Sequence, residues 1–114
     1  MRDKDAIAAL GALAQADRLA AFRTILRSGP EGVPSGEIAK VLNIQPTRMS
    51  FHLTALERAG VLYATRDGRL VRYAVRMRTM RALLAFLTDD CCGGHPEICA
   101  DLLSTRCPDT LEEV

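Results

Sequence analysis

The stretch from Ser35 to Leu62, SGEIAKVLNIQPTRMSFHLTALERAGVL, constrains the fold of this chain more than any other. Pro34-Ser35 offers a helix start, and Ile38, Ala39 and Leu42 make an apolar stripe at helical spacing. Asn43 tolerates the left-handed backbone that ends such a helix. Pro46 suits the first turn of the next helix, where its missing N–H had no partner to lose. In that second helix Met49, Leu53 and Leu56 fall on one side and must face inward. Thr47, Arg48, Ser50, Phe51 and Thr54 are then turned outward, and Gly60 is placed to end the helix. Short helix, tight turn, longer helix with a small-polar and basic outer face: that is the pattern of a helix-turn-helix.

Two helices are expected ahead of it. Ile7, Leu10 and Leu13, with Ala6, Ala9 and Ala14, mark the first, from about Lys4 to Gln15. It is mostly alanine and suited to completing a partner's groove. Asp17 reads as the N-cap of a second helix, Arg18–Ser28, with Leu19, Phe22, Ile25 and Leu26 as its buried face, ended by Gly29-Pro30.

After Gly60 the period changes. Val61–Thr65 and Leu70–Val75 are β-prone and flank Arg66-Asp67-Gly68-Arg69. Asp-Gly between two such runs predicts a hairpin. Arg66 and Arg69 stand at its tip and Arg72 one step down, so the ribbon reads as a wing able to reach DNA beside a recognition helix. From Met77 the spacing is helical again. Met77, Met80, Leu84, Leu87 and Cys91 recur at heptad-like intervals, with Leu83 and Phe86 beside them, which predicts a dimer seam.

Charge supports the same reading. Residues 43–81 hold eight arginines against Glu57 and Asp67, whereas residues 82–114 hold seven acids and only Arg106 as a base. The middle of the chain suits a polyanion and the tail does not. With no Trp and few aromatics, a base-stacking platform for single strands is not expected. No apolar run is long enough for a membrane span. No cleavable signal pattern follows the N-terminus, so the expected location is cytoplasmic. No nucleotide-binding glycine loop and no Ser-His-Asp or paired-carboxylate set is evident, so no enzyme is expected.

The order of elements and the residues Asp17-Arg18-Leu19, Met49-Ser50-Phe51-His52-Leu53, Leu56, Ala59-Gly60-Val61-Leu62 and Arg69–Tyr73 together resemble the ArsR/SmtB family of winged-helix metalloregulatory repressors. The resemblance spans roughly residues 5–90. It implies a mostly helical α+β fold, a winged helix-turn-helix, that dimerises through its first and last helices. It also implies binding to a twofold operator in double-stranded DNA and release when a toxic metal or metalloid binds. On this reading residues 1–92 form the DNA-binding and dimerisation domain, and 93–114 a cysteine-containing tail, partly disordered. The DNA-contacting candidates are Gln45, Thr47, Arg48, Ser50, Phe51 and Thr54, with Arg66, Arg69 and Arg72 from the wing. Arginine can take a guanine edge, hydroxyls a phosphate or base, and Phe51 a thymine methyl. His52, beside the inward stripe, is expected to pack or hydrogen-bond.

The sensor departs from the best-known family pattern, which places cysteines in the first helix of the helix-turn-helix. Here that helix begins Ser35-Gly36-Glu37-Ile38-Ala39 and offers no thiol. All four cysteines, Cys91, Cys92, Cys99 and Cys107, lie in the last quarter. Adjacent cysteines make a poor disulfide but can both ligate one soft atom, and Cys99 can fold back past Gly93-Gly94 and Pro96 as a third. Three thiolates suit As(III) or Sb(III), and CCGGHPEIC resembles family members whose arsenic site sits at the end of the last helix. Cys91, Cys92 and Cys99 are therefore the expected ligands. Zinc prefers four ligands, and Cys107 or His95 could supply the fourth, so a zinc-, cadmium- or redox-responsive repressor stays open as an alternative. A small thiol reductase is disfavoured, because the CxxC spacing is missing.

Overall fold

A computed structural model describes residues 1–89 of the chain. Its elements are helices α1 (Asp3–Leu13), α2 (Ala16–Ser28), α3 (Ser35–Leu42), α4 (Pro46–Arg58) and α5 (Met77–Asp89), with strands β1 (Val33–Pro34), β2 (Leu62–Asp67) and β3 (Leu70–Val75). The described chain divides into two units, with the division between Leu83 and Leu84, inside α5. The expected cysteine site and partly disordered tail lie outside the described residues. None of the helices described is long and apolar enough to cross a membrane.

The helix-turn-helix forms where local chemistry dictates. Asn43 adopts φ 56°, ψ 46°, the left-handed conformation that reverses the chain after α3. The Ile44 amide bonds back to the Ala39 carbonyl and the Asn43 amide to Lys40, so both orphan carbonyls of the last turn are satisfied. Pro46 occupies the first turn of α4. The same terminal motif closes α4: the Val61 amide bonds to Leu56 and the Gly60 amide to Glu57, with Gly60 at φ 83°. Met49, Leu53 and Leu56 are fully buried, as their spacing predicts. With Ile25, Ile38, Val61 and Leu62 they form the centre of the core. Each such side chain contributes about 1.5–3 kcal/mol by leaving water.

In α1 the inward face is Ala6, Ala9 and Ala12, whereas Ile7 (68% exposed) and Leu10 point to solvent. Alanine lets α1 lie close against α2 and α4, and larger residues cannot share that approach. Four expectations need correction, the first two in α2: its cap is Gln15, whose Oε1 accepts from the Arg18 amide at 3.0 Å, and Asp17 sits inside the first turn. Leu19 and Leu26, expected inside, are exposed, and the buried face is Ala21, Phe22 and Ile25.

The third and fourth concern the wing. It is part of a three-stranded antiparallel sheet of order β1-β3-β2 rather than a two-stranded ribbon, because Val33 and Pro34 pair with Tyr73 and Arg72. Pro34 is tolerated there because β1 is an edge strand. The hairpin register pairs Asp67 with Leu70, so the central turn residues are Gly68 and Arg69, not Asp67 and Gly68. Gly68 has φ 65° and Arg69 lies outside the positive-φ region, the arrangement of a type II′ turn.

Candidate nucleic-acid interface

α4 carries its polar face outward. Thr47, Arg48, Ser50 and Phe51 are exposed, as is Gln45 immediately before the helix. Phe51 is 65% exposed, far more than a ring of that size needs if its only work is packing. Thr54, one turn further, is only half-exposed. A shallow groove runs between α1 and α4, floored by Ala8 and Ala12 and edged by Thr47, Ser50, Phe51 and Arg58.

The first turn of α2 is the support beneath this face. Arg18 Nε donates to His52 Nδ1 at 3.1 Å, and the same guanidinium lies 5.9 Å from the Phe51 ring centroid. His52 is 7% exposed, so its expected hydrogen-bonding role holds. Because Nδ1 accepts, the neutral ring carries its proton on Nε2, which stands 3.7 Å from Asp17 Oδ2. That oxygen also accepts from Arg48 Nη2 at 3.1 Å. The Phe51 and His52 rings meet edge-on with centroids 6.0 Å apart. Asp17 and Arg18 thus fix three positions of α4, Arg48, Phe51 and His52, from outside the helix. No buried side-chain nitrogen or oxygen among the described residues lacks a partner.

The wing arginines do not form one cluster. Side chains alternate along a strand, so the register puts Arg66 on the face shared with Ala64 and Tyr73, and Arg72 on the face shared with Thr65 and Asp67. Arg72 Nε lies 3.7 Å from Asp67 Oδ2. Arg69 in the turn and Arg66 are exposed; Arg72 is half-buried. Behind the hairpin, Tyr73 is buried. Burial pushes its phenol above the ordinary value, the nearby Glu57 charge pushes the same way, and Thr54 and Arg66 act against them. Tyr73 therefore ties the wing to the back of α4.

Sequence reasoning missed Arg18 and Arg58, and gave Asp17 a capping role it does not have. Arg58 follows from helical spacing, four residues beyond Thr54. The Arg18–His52 bond joins residues 34 apart and leaves no local pattern. Cys91, Cys92 and Cys99, with Cys107 and His95, lie outside the described residues. Among the described residues no group of three His, Cys, Asp or Glu side chains could hold a metal ion.

No protein-family model and no curated protein matches the chain. Solved structures do. An ArsR-like transcriptional regulator from Rhodococcus sp. RHA1 superposes with a TM-score of 0.69 at 16% identity, over 91% of this chain and 95% of that one. The homodimeric winged helix-turn-helix DNA-binding domain of Mb0332 from Mycobacterium bovis, a possible ArsR-family regulator, gives 0.62 at 24% identity, over 77% and 82%. The antimony-specific transcriptional repressor AntR gives 0.57 at 25% identity, over 72% and 73%. The chain is a winged helix-turn-helix protein with the fold of the ArsR/SmtB transcriptional regulators.

Proposed function

We propose that this chain is a metalloid-responsive transcriptional repressor, binding a twofold operator as a homodimer and released when As(III) or Sb(III) is held by Cys91, Cys92 and Cys99. The observation that carries the DNA-binding half is the outer face of α4. Thr47, Arg48, Ser50 and Phe51 stand exposed over a helix whose opposite face is wholly buried, on a fold otherwise found in regulators. Gln45 and Thr54 flank them, and Arg66 and Arg69 extend the basic surface along the wing, with Arg72 behind. Phosphate contacts from the arginines set register, and the α4 face reads base edges.

The dimer is supported by apolar side chains that stand exposed among the described residues. Ile7 and Leu10 of α1 are exposed, as are Met77, Leu84 and Leu87 of α5. Among the described residues of the α5 set, Leu83 alone is buried. Exposed leucine, isoleucine and methionine recurring on two helices favour a second copy, and the Mycobacterium bovis domain is homodimeric. Two copies place two recognition helices against half-sites about 34 Å apart.

For the ligand the support is the donor set and one neighbour. Two adjacent thiols and a third seven residues on match the three sulfurs that trivalent arsenic or antimony takes, and AntR is antimony-specific. The thiols begin two residues after the described end of α5. A metalloid there acts on the helix that carries Met77, Leu84 and Leu87. A coupling of about 1–3 kcal/mol between ligand and DNA is typical of such linkage and amounts to roughly 5- to 150-fold in affinity.

The test is arsenite added to the reduced chain bound to a fluorescent duplex from its own upstream region, followed by anisotropy. We expect at least about tenfold weaker binding, abolished in Cys91→Ser, Cys92→Ser and Cys99→Ser and retained in Cys107→Ser. Release by zinc or cadmium but not arsenite moves the ligand assignment to those ions. Binding unchanged by any of them removes the sensor reading.

A further inference from the structure

We infer that Asp17 is a specificity-determining residue of this surface, acting through Arg48 to present its guanidinium to a base edge instead of the phosphate backbone. The inference deepens the DNA-binding reading above and rests on it. Asp17 lies in the first turn of α2 and Arg48 in the first turn of α4, 31 residues apart, yet Nη2 and Oδ2 stand 3.1 Å apart. The pair is open to solvent, with the Arg48 side chain 58% and the Asp17 side chain 31% exposed. Exposed ion pairs contribute little to stability, so stability does not account for this one.

Its effect on recognition is larger. A guanidinium has five N–H donors in a rigid fork. Asp17 engages Nη2 and leaves donors on Nη1 and Nε free for an acceptor outside the protein. The carboxylate is itself steadied: Oδ2 lies 3.7 Å from His52 Nε2, and buried His52 is pinned by Arg18. Arg48 is therefore held in place before DNA arrives, which lowers the ordering cost of a specific contact. On a wrong sequence Arg48 gains most by swinging to a phosphate. That takes the guanidinium away from the Asp17 carboxylate beside a polyanion, a penalty that falls on non-specific complexes alone.

The experiment uses the full-length chain and its Asp17→Asn, Arg48→Ala and doubly substituted forms. Wild type is first allowed to enrich duplexes from a randomised pool. Affinities are then read by anisotropy, at one salt concentration, for the enriched duplex, a scrambled duplex of the same composition, and single base-pair variants. Asparagine matches aspartate in shape, and a thermal melt checks that each form is folded. In Asp17→Asn the ratio of enriched to scrambled affinity falls about tenfold, the scale of one lost bidentate base contact. The loss maps to the same base pair that Arg48→Ala affects, and Asp17→Asn adds nothing in the Arg48→Ala background. An unchanged ratio, or an additive double substitution, overturns the inference and leaves DNA binding standing. A wild-type chain that enriches no duplex overturns the DNA-binding reading itself.

Discussion

Replacing Arg18 by methionine tests the support beneath the α4 face. The substitution keeps an unbranched chain of similar length and removes the donor. His52 Nδ1, in a side chain 7% exposed, then loses its 3.1 Å partner. Leaving a buried acceptor unsatisfied costs about 1–3 kcal/mol. Loss of the guanidinium over Phe51, at 5.9 Å and near the surface, adds about 0.5 kcal/mol. A destabilisation of about 2 kcal/mol follows, which in a domain of this size lowers Tm by roughly 10 °C. Urea unfolding followed by far-UV circular dichroism measures it. The informative comparison is Arg18→Met with His52→Leu. Removing both polar partners leaves no orphaned group, so the double form regains at least half of the loss. If Arg18→Met is as stable as wild type, or the double form is less stable than Arg18→Met, the bond does not hold α4 in the way described.

Three further outcomes are expected. Gly32→Ala places a Cβ 3.0 Å from the Tyr73 carbonyl oxygen at φ 84°, so urea unfolding shows a loss of about 1–2 kcal/mol, against little change for Gly36→Ala, where the space is open. Tyr73 has its phenol pushed upward on folding, so its contribution is complete below the ordinary value of 10.0 and is lost as pH rises above it. Tyr73→Phe therefore flattens the alkaline fall in stability in urea melts across that range, and an unchanged slope would count against the burial described. Phe51→Ala, at an exposed ring, leaves Tm within a few degrees but weakens binding to the upstream duplex about tenfold or more, whereas Arg69→Ala lowers the slope of log affinity against log salt by about 1. An unchanged slope removes the wing turn from the phosphate-contacting surface.

Local rules carried most of the helix-turn-helix. Asn43, Pro46 and Gly60 each have a backbone reason to stand where they do, and the Met49–Leu53–Leu56 stripe fixes which side of α4 remains outside. The outward candidates Gln45, Thr47, Arg48, Ser50 and Phe51 were legible for that reason. Thr54 is less exposed than expected because it backs onto the sheet side near Tyr73. In α2 periodicity weighted by size pointed the wrong way: Ala21 went in and Leu19 and Leu26 went out. A stripe of large residues marks a face that needs cover, and sequence does not say whether the cover comes from the same chain. Two residues of β1 are too few for any periodic signal. The Asp-Gly pair announced the hairpin, but the strands run on to Asp67 and Leu70, which moved the turn by one residue and set Arg66 and Arg72 on opposite faces. The bonds from Asp17 and Arg18 to α4 were illegible because they are products of tertiary packing between residues more than 30 apart.

The central claim is that two copies of α4 read one duplex. Hydroxyl-radical footprinting of the reduced chain on its upstream duplex tests it most directly. Two protected patches of similar strength, their centres about 34 Å or one helical turn apart, are expected, and with Phe51→Ala both need about tenfold more protein to appear. A single protected patch, or uniform cleavage at saturating protein, would contradict it.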